Sequence, residues 1–264
     1  MGCFSKDIFS IIKNSSSKHT LNELVKICRL KYNIGVADVK KTMRELVERG
    51  DIEYINVLGN TFPVVSFSKA ARLSVKIIVC PPDISPDKDN PDDIIIRLEK
   101  TTSFGRGDHP TTRLSLAGCE KFFSWREKKG GYALDMGCGT GILAMASVFM
   151  GIEKAYGVDI DPVAVFDAEK NILLNNLEEK VFVSNTWPEQ IYFDLIFANL
   201  RPPTLFKFRK KFESILYESG GVVISGYKKE EEKSVLDEFS KSFGYVKSWS
   251  EKKWCSALFY GKEY

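Results

Sequence analysis

The sequence predicts an α/β protein: a largely parallel, Rossmann-like sheet closed by a terminal antiparallel hairpin, with a small winged helix-turn-helix domain in front of it. Three observations predict it. Helix-period and strand-like segments alternate from residue 111 onward, a glycine cluster "LDMGCGTGIL" joins one strand to one helix, and residues 5–66 read as three helices and a β-hairpin.

The first helices are "KDIFSIIKN", "TLNELVKICRLKYN" and "GVADVKKTMRELVERG", each with apolar residues at helical spacing. In the third, Val36, Val39, Met43, Leu46 and Val47 fall on one face, and Gly50 supplies a stop. "DIEYINVL" and "TFPVVSF", joined by Gly59-Asn60, read as the hairpin. Three helices followed by a hairpin make a winged helix over residues 1–66. Its third helix carries Lys40, Lys41, Arg44 and Arg49, with Asp38, Glu45 and Glu48 interleaved. A helix bound for the major groove usually sheds acids that would face phosphate, so protein contact or homodimerisation is the expected role. Nucleic acid is disfavoured as a partner. The whole net charge of +3 lies in residues 1–66, and the remainder of the chain balances.

Residues 67–110 read as a β connector. "RLSVKIIVCPP" and "DDIIIRLEK" are Ile- and Val-rich strands, and the prolines and aspartates of "PDISPDKDNPDD" between them imply an exposed, mobile loop. The connector ends in "TTSFGRGDHPTT", where Pro110, Thr111 and Thr112 start a helix. Residues 111–264 form the main domain. The helix "TTRLSLAGCEKFFSWREK" leads to the strand "GYALDM", then "TGILAMASVFMG" (helix), "KAYGVDI" (strand) and "DPVAVFDAEKNILLNN" (helix). "KVFVSN" and "YFDLIFANL" are strands, "PPTLFKFRKKFESILY" a helix, "GGVVISGY" a strand and "KEEEKSVLDEFSKSF" a helix; "GYVKSWSEKKWCSALFYGK" closes as a hairpin. Repeated β-α units imply right-handed crossovers and a ligand crevice at the strands' C-terminal ends.

Composition narrows the function classes. No run approaches the roughly 18 apolar residues of a membrane span, and no secretory pattern opens the chain, so a cytoplasmic protein without membrane contact is expected. Six scattered cysteines without a C-x-x-C pair, and only two histidines, make a metal site improbable.

The glycine cluster carries the chemistry. Asp135, Gly137, Cys138, Gly139 and Gly141 stand between a strand and a helix, where glycines permit a sharp turn and helix N–H groups face a ligand. Asp159 ends the next strand in "GVDID", placed to accept hydrogen bonds from ribose hydroxyls. Dinucleotides and S-adenosylmethionine both fit this layout. Dinucleotides prefer G-x-G-x-x-G, whereas this chain has D-x-G-x-G-x-G. Asp135 suits an ammonium and would repel a diphosphate, which favours S-adenosylmethionine.

"SFGRGDHPTTRLSL", "ALDMGCGTGILAMAS", "YGVDIDPVAV", "NNLEEKV", "FDLIFANL" and "GGVVISGY" occur in order and at suitable spacing. Together they resemble the bacterial methyltransferases of ribosomal protein L11 (PrmA), a class I S-adenosylmethionine family, over residues 75–262. The resemblance implies that Asp135, Gly137, Cys138, Gly139 and Gly141 surround the cofactor's methionine end. Phe104 and Gly105 would close over that end. Asp159 and Ile160 would hold the ribose side, and Asn185 would lie near the adenine. It also implies a protein acceptor, of the ribosomal kind. The chain departs from the family at Arg106, where Thr is usual, and at Glu99-Lys100-Thr101, where the family has Asp-Pro-Gly. Its N-terminal domain reads as a winged helix rather than the family's ferredoxin-like module.

Transfer of an activated methyl rests on in-line positioning rather than on a strong base. Asn199, at the end of "FDLIFAN", is the catalytic candidate, its carboxamide aiming an amine lone pair as well as bordering the cofactor. Enzymes that methylate base amino groups commonly show Asn-Pro-Pro-aromatic there; "NLRPP" has no such aromatic. Arg106 and His109 are substrate-side candidates; His109 could serve as a general base, but it directly precedes the helix start Pro110-Thr111-Thr112 and is read as ordering the loop. Two other readings fit: a small-molecule methyltransferase dimerised by its winged helix, or a cofactor-binding, nucleic-acid-associated regulator.

Overall fold

The computed structural model describes residues 4–14, 19–57, 59–66, 68–101, 103–105, 107, 109–126 and 129–261. The chain divides into two units, Met1–Ala70 and Ala71–Tyr264.

In the first unit, α1 (Ser5–Asn14), α2 (Leu21–Tyr32) and α3 (Val36–Glu48) precede the antiparallel pair β1 (Ile52–Val57) and β2 (Asn60–Val65). Helix α2 begins where Thr20 and Glu23 cap each other reciprocally and ends at Asn33, whose φ of 54° is left-handed. Ile8, Leu24, Cys28, Ile34, Val39, Met43, Leu46 and Ile52 form the core. The buried stripe of α3 is narrower than its sequence implies. Val36 and Val47 are 43% and 38% exposed, because α1 and α2 supply only one small layer to pack against. Arg49 is withdrawn from the cationic face: it donates to Ser5 Oγ (2.9 Å) and pairs with Asp51 (2.8 Å).

The second unit opens with a three-stranded sheet, in which β4 (Ile77–Cys80) runs antiparallel to β3 (Ala71–Arg72) and parallel to β5 (Ile94–Arg97). The loop between β4 and β5 is organised around Arg72, which donates to both oxygens of Asp93 (2.8 and 2.7 Å) and to Asp89 (2.8 Å). That guanidinium holds the buried Asp93 carboxyl far below the usual carboxylate range. Helix α4 (Pro110–Phe123) follows. It stops short of residue 128 because Ser124 folds its hydroxyl back onto Lys121 O (2.7 Å) and Arg126 turns to Asp194 (2.8 Å).

The main sheet consists of β6 (Tyr132–Met136), β7 (Lys154–Val158), β8 (Val181–Ser184), β9 (Phe193–Asn199), β10 (Leu216–Lys228), β11 (Phe243–Glu251) and β12 (Trp254–Gly261). Their spatial order is β11-β12-β10-β9-β6-β7-β8, and β12 runs antiparallel to both of its neighbours. One face buries Leu134, Met136, Ile196, Ala198, Val222 and Ile224 against α7 (Pro202–Ile215) and α8 (Glu232–Phe239). Phe212 and Phe239 are each fully buried there, and each contributes about 1.5–3 kcal/mol through that burial. Strand alternation therefore turns Asp135, Phe197, Asn199, Val223 and Ser225 to the opposite face. That face meets α4, since Ser225 Oγ donates to Thr111 O (3.3 Å). Helix α6 (Pro162–Leu174) lies beside α5 (Ile142–Phe149): Asn171 donates to Thr140 O (3.0 Å) and Asn175 reaches Met145 Sδ (3.5 Å).

Candidate active site

Chain order reverses between β6 and β9, and the crevice at the C-terminal ends of this pair is where an open α/β sheet binds ligands. Asp135 and Asn199 stand on the same sheet face at its two sides.

The loop after β6 is held by bonds from its amides to acceptors within the protein. Gly137 N (2.7 Å) and Cys138 N (3.2 Å) donate to Val158 O, Gly139 N to Asp159 Oδ2 (3.0 Å), Thr140 N to Phe104 O (2.9 Å), and Gly141 N to Cys138 O (2.8 Å). All five are spent inside the protein, and the helix N–H groups expected to face a ligand are those that follow, at the start of α5 (Ile142–Phe149). The glycines are required by close neighbours in the chain itself. A Cβ on Gly139 (φ +54°) would stand 2.1 Å from Phe104 O, and one on Gly137 (φ +75°) 2.7 Å from Leu200 Cδ2. The Cys138 side chain points inward, 4% exposed, and burial pushes its thiol far above the ordinary range; only its backbone borders the crevice.

What the site does offer is unmatched side-chain polarity. Asp135 is 1% exposed; its Oδ2 accepts from Ala144 N (3.2 Å), while Oδ1 has no partner. Burial pushes its carboxyl up to about 7, the Ala144 amide opposes the rise, and the negative charge of Asp159 adds to it. Two further buried hydroxyls, Thr112 Oγ1 and Thr140 Oγ1, are also unpartnered. An orphaned, buried carboxylate oxygen fits an ammonium such as that of a methionine end.

Asp159 is half-buried, and its two oxygens accept from Gly139 N and Asp161 N (both 3.0 Å), with lone pairs remaining for further donors. Ile160 beside it is 88% exposed, an apolar surface with nothing over it. Asn185 is exposed in a turn closed by Ser184 Oγ and Thr186 Oγ1, 2.8 Å apart.

Across the crevice, the half-buried Asn199 has no hydrogen-bond partner for its carboxamide among the described residues. The chain then turns tightly: Leu200 N donates to Ser225 O (3.0 Å), and Leu200 O lies so close to Gly226 that a Cβ there would be 2.4 Å away. Arg201 reaches back to Gly226 O (3.2 Å) and Glu231 (3.1 Å), its guanidinium 5.6 Å from the Trp254 ring centre. Trp254 meets the His109 ring edge-on at 4.8 Å, and His109 meets Phe104 at 5.1 Å. An aromatic wall thus runs from the glycine loop to Arg201.

His109 caps α4. Its Nδ1 accepts from Thr111 N (3.3 Å) and lies 2.7 Å from Thr111 Oγ1. Upstream, Thr101 and Ser103 both hydrogen-bond Asp167, and Glu99 N donates to Asn171 Oδ1 (2.7 Å). Asn175 exchanges two bonds with the Arg97 backbone (2.8 and 2.7 Å), so one stripe of α6 carries this segment to the crevice. Arg106 lies outside the described residues. Sequence reasoning missed Thr112, Asp167, Asn171, Arg201 and Trp254 as parts of the site. Only Thr112 had a local signal, in "HPTT". Among the described residues no group of His, Cys, Asp and Glu could hold a metal ion, and the five described cysteines are free and buried.

Sheet order, glycine loop and strand-end carboxylates together define the class I methyltransferase fold. Within that class, the family profile described as ribosomal protein L11 methyltransferase (PrmA) matches residues 65–262, and the chain belongs to this family. A ribosomal protein L11 methyltransferase of Geobacter metallireducens is 31% identical over 189 residues, covering 71% of this chain and 61% of the relative. That of Bacillus subtilis is 30% identical over 247 residues, covering 91% and 73%. The chain spans about three fifths of the length of several curated relatives it matches. The crystal structure of ribosomal protein L11 methylase from Lactobacillus delbrueckii subsp. bulgaricus superposes with a TM-score of 0.66 at 26% identity, covering 74% of this chain and 100% of that one.

Proposed function

We propose that this chain is an S-adenosylmethionine-dependent methyltransferase that modifies an amine of a protein, with ribosomal protein L11, the protein named for its relatives, as the first acceptor to test. One observation carries the reading: Asp135 presents an unmatched carboxylate oxygen beside a loop whose amides are already spent. Such a carboxylate attracts a cation and would repel a diphosphate. Bound S-adenosylmethionine would supply a sulfonium-activated methyl whose transfer leaves a neutral thioether. Asp135 and Thr112 would hold its methionine end between the glycine loop and Phe104-Gly105. The free lone pairs of Asp159 would take the ribose hydroxyls. Ile160 and Asn185 would border the adenine.

On the acceptor side, Asn199 would orient the amine with its unengaged carboxamide, and the wall of Phe104, His109 and Trp254 would exclude water. With Nδ1 accepting from the backbone, His109 serves to order the helix start rather than to abstract a proton. Arg106 remains a candidate for an acidic substrate group. The N-terminal unit is read as a winged helix used for protein contact or homodimerisation. Lys40, Lys41 and Arg44 on its α3 share that helix with Asp38, Glu45 and Glu48, which disfavours nucleic acid. Among the described residues no helix is long and apolar enough to cross a membrane, and a cytoplasmic setting suits a ribosomal substrate. Incubation with labelled S-adenosylmethionine and purified ribosomal proteins tests the proposal. Label should enter L11; label in nucleic acid or small molecules alone would refute the protein-acceptor reading.

A further inference from the structure

Arg113 lies one helical turn beyond the His109 cap, and its guanidinium links two distant parts of the chain. Nη1 donates to Gly107 O (2.7 Å), while Nε and Nη2 grip the two oxygens of Glu251 (3.0 and 2.5 Å). Arg113 is 19% and Glu251 34% exposed, so the pair is partly shielded from water. Gly107 is wedged from behind: a Cβ there would meet Leu73 Cδ1 at 2.2 Å. Two residues upstream, Gly105 sits so tightly that a Cβ would be 2.7 Å from Thr140 Oγ1, and Phe104 O holds the Thr140 amide. Glu251 and Trp254 face each other across the β11–β12 turn, and Trp254 braces His109. The tip of the terminal hairpin therefore grips the start of α4 at two points one turn apart.

We propose that Arg113 is a positioning residue for the cofactor end of the site: by bridging Gly107 to Glu251 it keeps Phe104 and Gly105 seated on Thr140, and so couples the terminal hairpin to the glycine loop. The planar fork supplies three donors in fixed directions, which a lysine ammonium cannot reproduce. The consequence for cofactor affinity rests on the methyltransferase reading; the brace itself does not.

The test reads both. In cofactor-free protein, hydrogen exchange at the Thr140 amide should accelerate about tenfold or more in Arg113→Ala. The Kd for S-adenosylmethionine, by calorimetry, should rise about tenfold while the acceptor KM stays within about twofold. Where alanine proves too disruptive, Arg113→Lys serves, since an ammonium keeps the charge but not the fork's fixed, bidentate geometry on Glu251. The Arg113→Glu/Glu251→Arg double variant separates positioning from simple stapling. It should restore the ion pair and the thermal midpoint but leave Thr140 exchange fast and cofactor affinity low, because residue 113 then has no donor for Gly107 O. Unchanged Thr140 exchange in Arg113→Ala, or recovery of both exchange and affinity in the double variant, would overturn the proposal. A wild-type protein that binds no S-adenosylmethionine would sink the functional reading, with Thr140 exchange still deciding the brace.

Discussion

The two sides of the crevice are built by different means. On the side of β6 and β7, the glycine loop is closed by its own amides, by Val158 O and by Asp159, all residues of one βαβ unit, with outside contacts from Phe104 O and Asn171 Nδ2, both to Thr140. On the side of β9, β10 and β12, the wall is assembled from Phe104, His109, Arg201, Glu231 and Trp254, far apart in sequence and brought together by strand register. The first side fixes what can bind through backbone geometry. Outside Phe104 and the Arg113–Glu251 brace, which touch both sides, the second can exchange side chains with little effect on the first, which suits an acceptor specificity that varies while the cofactor does not.

Gly139→Ala attacks the first side hardest. The left-handed backbone alone costs about 1–2 kcal/mol, and the new methyl must displace Phe104 O. Calorimetry should show cofactor affinity lowered about 100-fold or more, with a depressed thermal midpoint. Asp135→Asn comes next and splits affinity from stability. The Asp135 carboxyl keeps its proton to about 7 in the folded chain, against an ordinary value of 3.8. Between those values the folded state binds more protons than the unfolded one, so stability falls as pH rises through this window and levels off above it. The variant should therefore gain thermal stability over wild type above about pH 7, little near pH 4, yet lose about tenfold or more in cofactor affinity. Scanning calorimetry at several pH values checks the sign.

Asp159→Ala should weaken cofactor binding about tenfold, smaller in effect because the Gly139 and Asp161 amides can turn to water. Trp254→Ala should leave the cofactor Kd within about twofold and raise the acceptor KM about fivefold, as steady-state kinetics would show. If Trp254→Ala weakened the cofactor as much as Asp159→Ala, the two sides would not be separable.

The same division explains what the sequence disclosed. Asp135, the glycines and Asp159 were legible because strand ends, glycine spacing and a short crossover confine them to one arrangement. The amide pattern was not, since it depends on Phe104 O arriving from another segment. Val36 and Val47 looked buried by periodicity, but the first unit has too little mass to cover them. Trp254, Glu251 and Arg113 carried no local signal. Their roles follow from the Glu251–Trp254 register and from α4 lying over β12, which no short window contains. The end of α4 was overrun for the same reason: Arg126 answers to Asp194, on a strand six elements further on.

The most direct test is titration of the wild-type protein with S-adenosylmethionine by calorimetry, in two buffers of different ionisation enthalpy, near pH 6 and near pH 8. The account predicts binding at both, tighter at the higher pH, with about one proton released at the lower pH as Asp135 ionises against the incoming ammonium. Absence of binding, or equal affinity at both pH values without proton release, would contradict it.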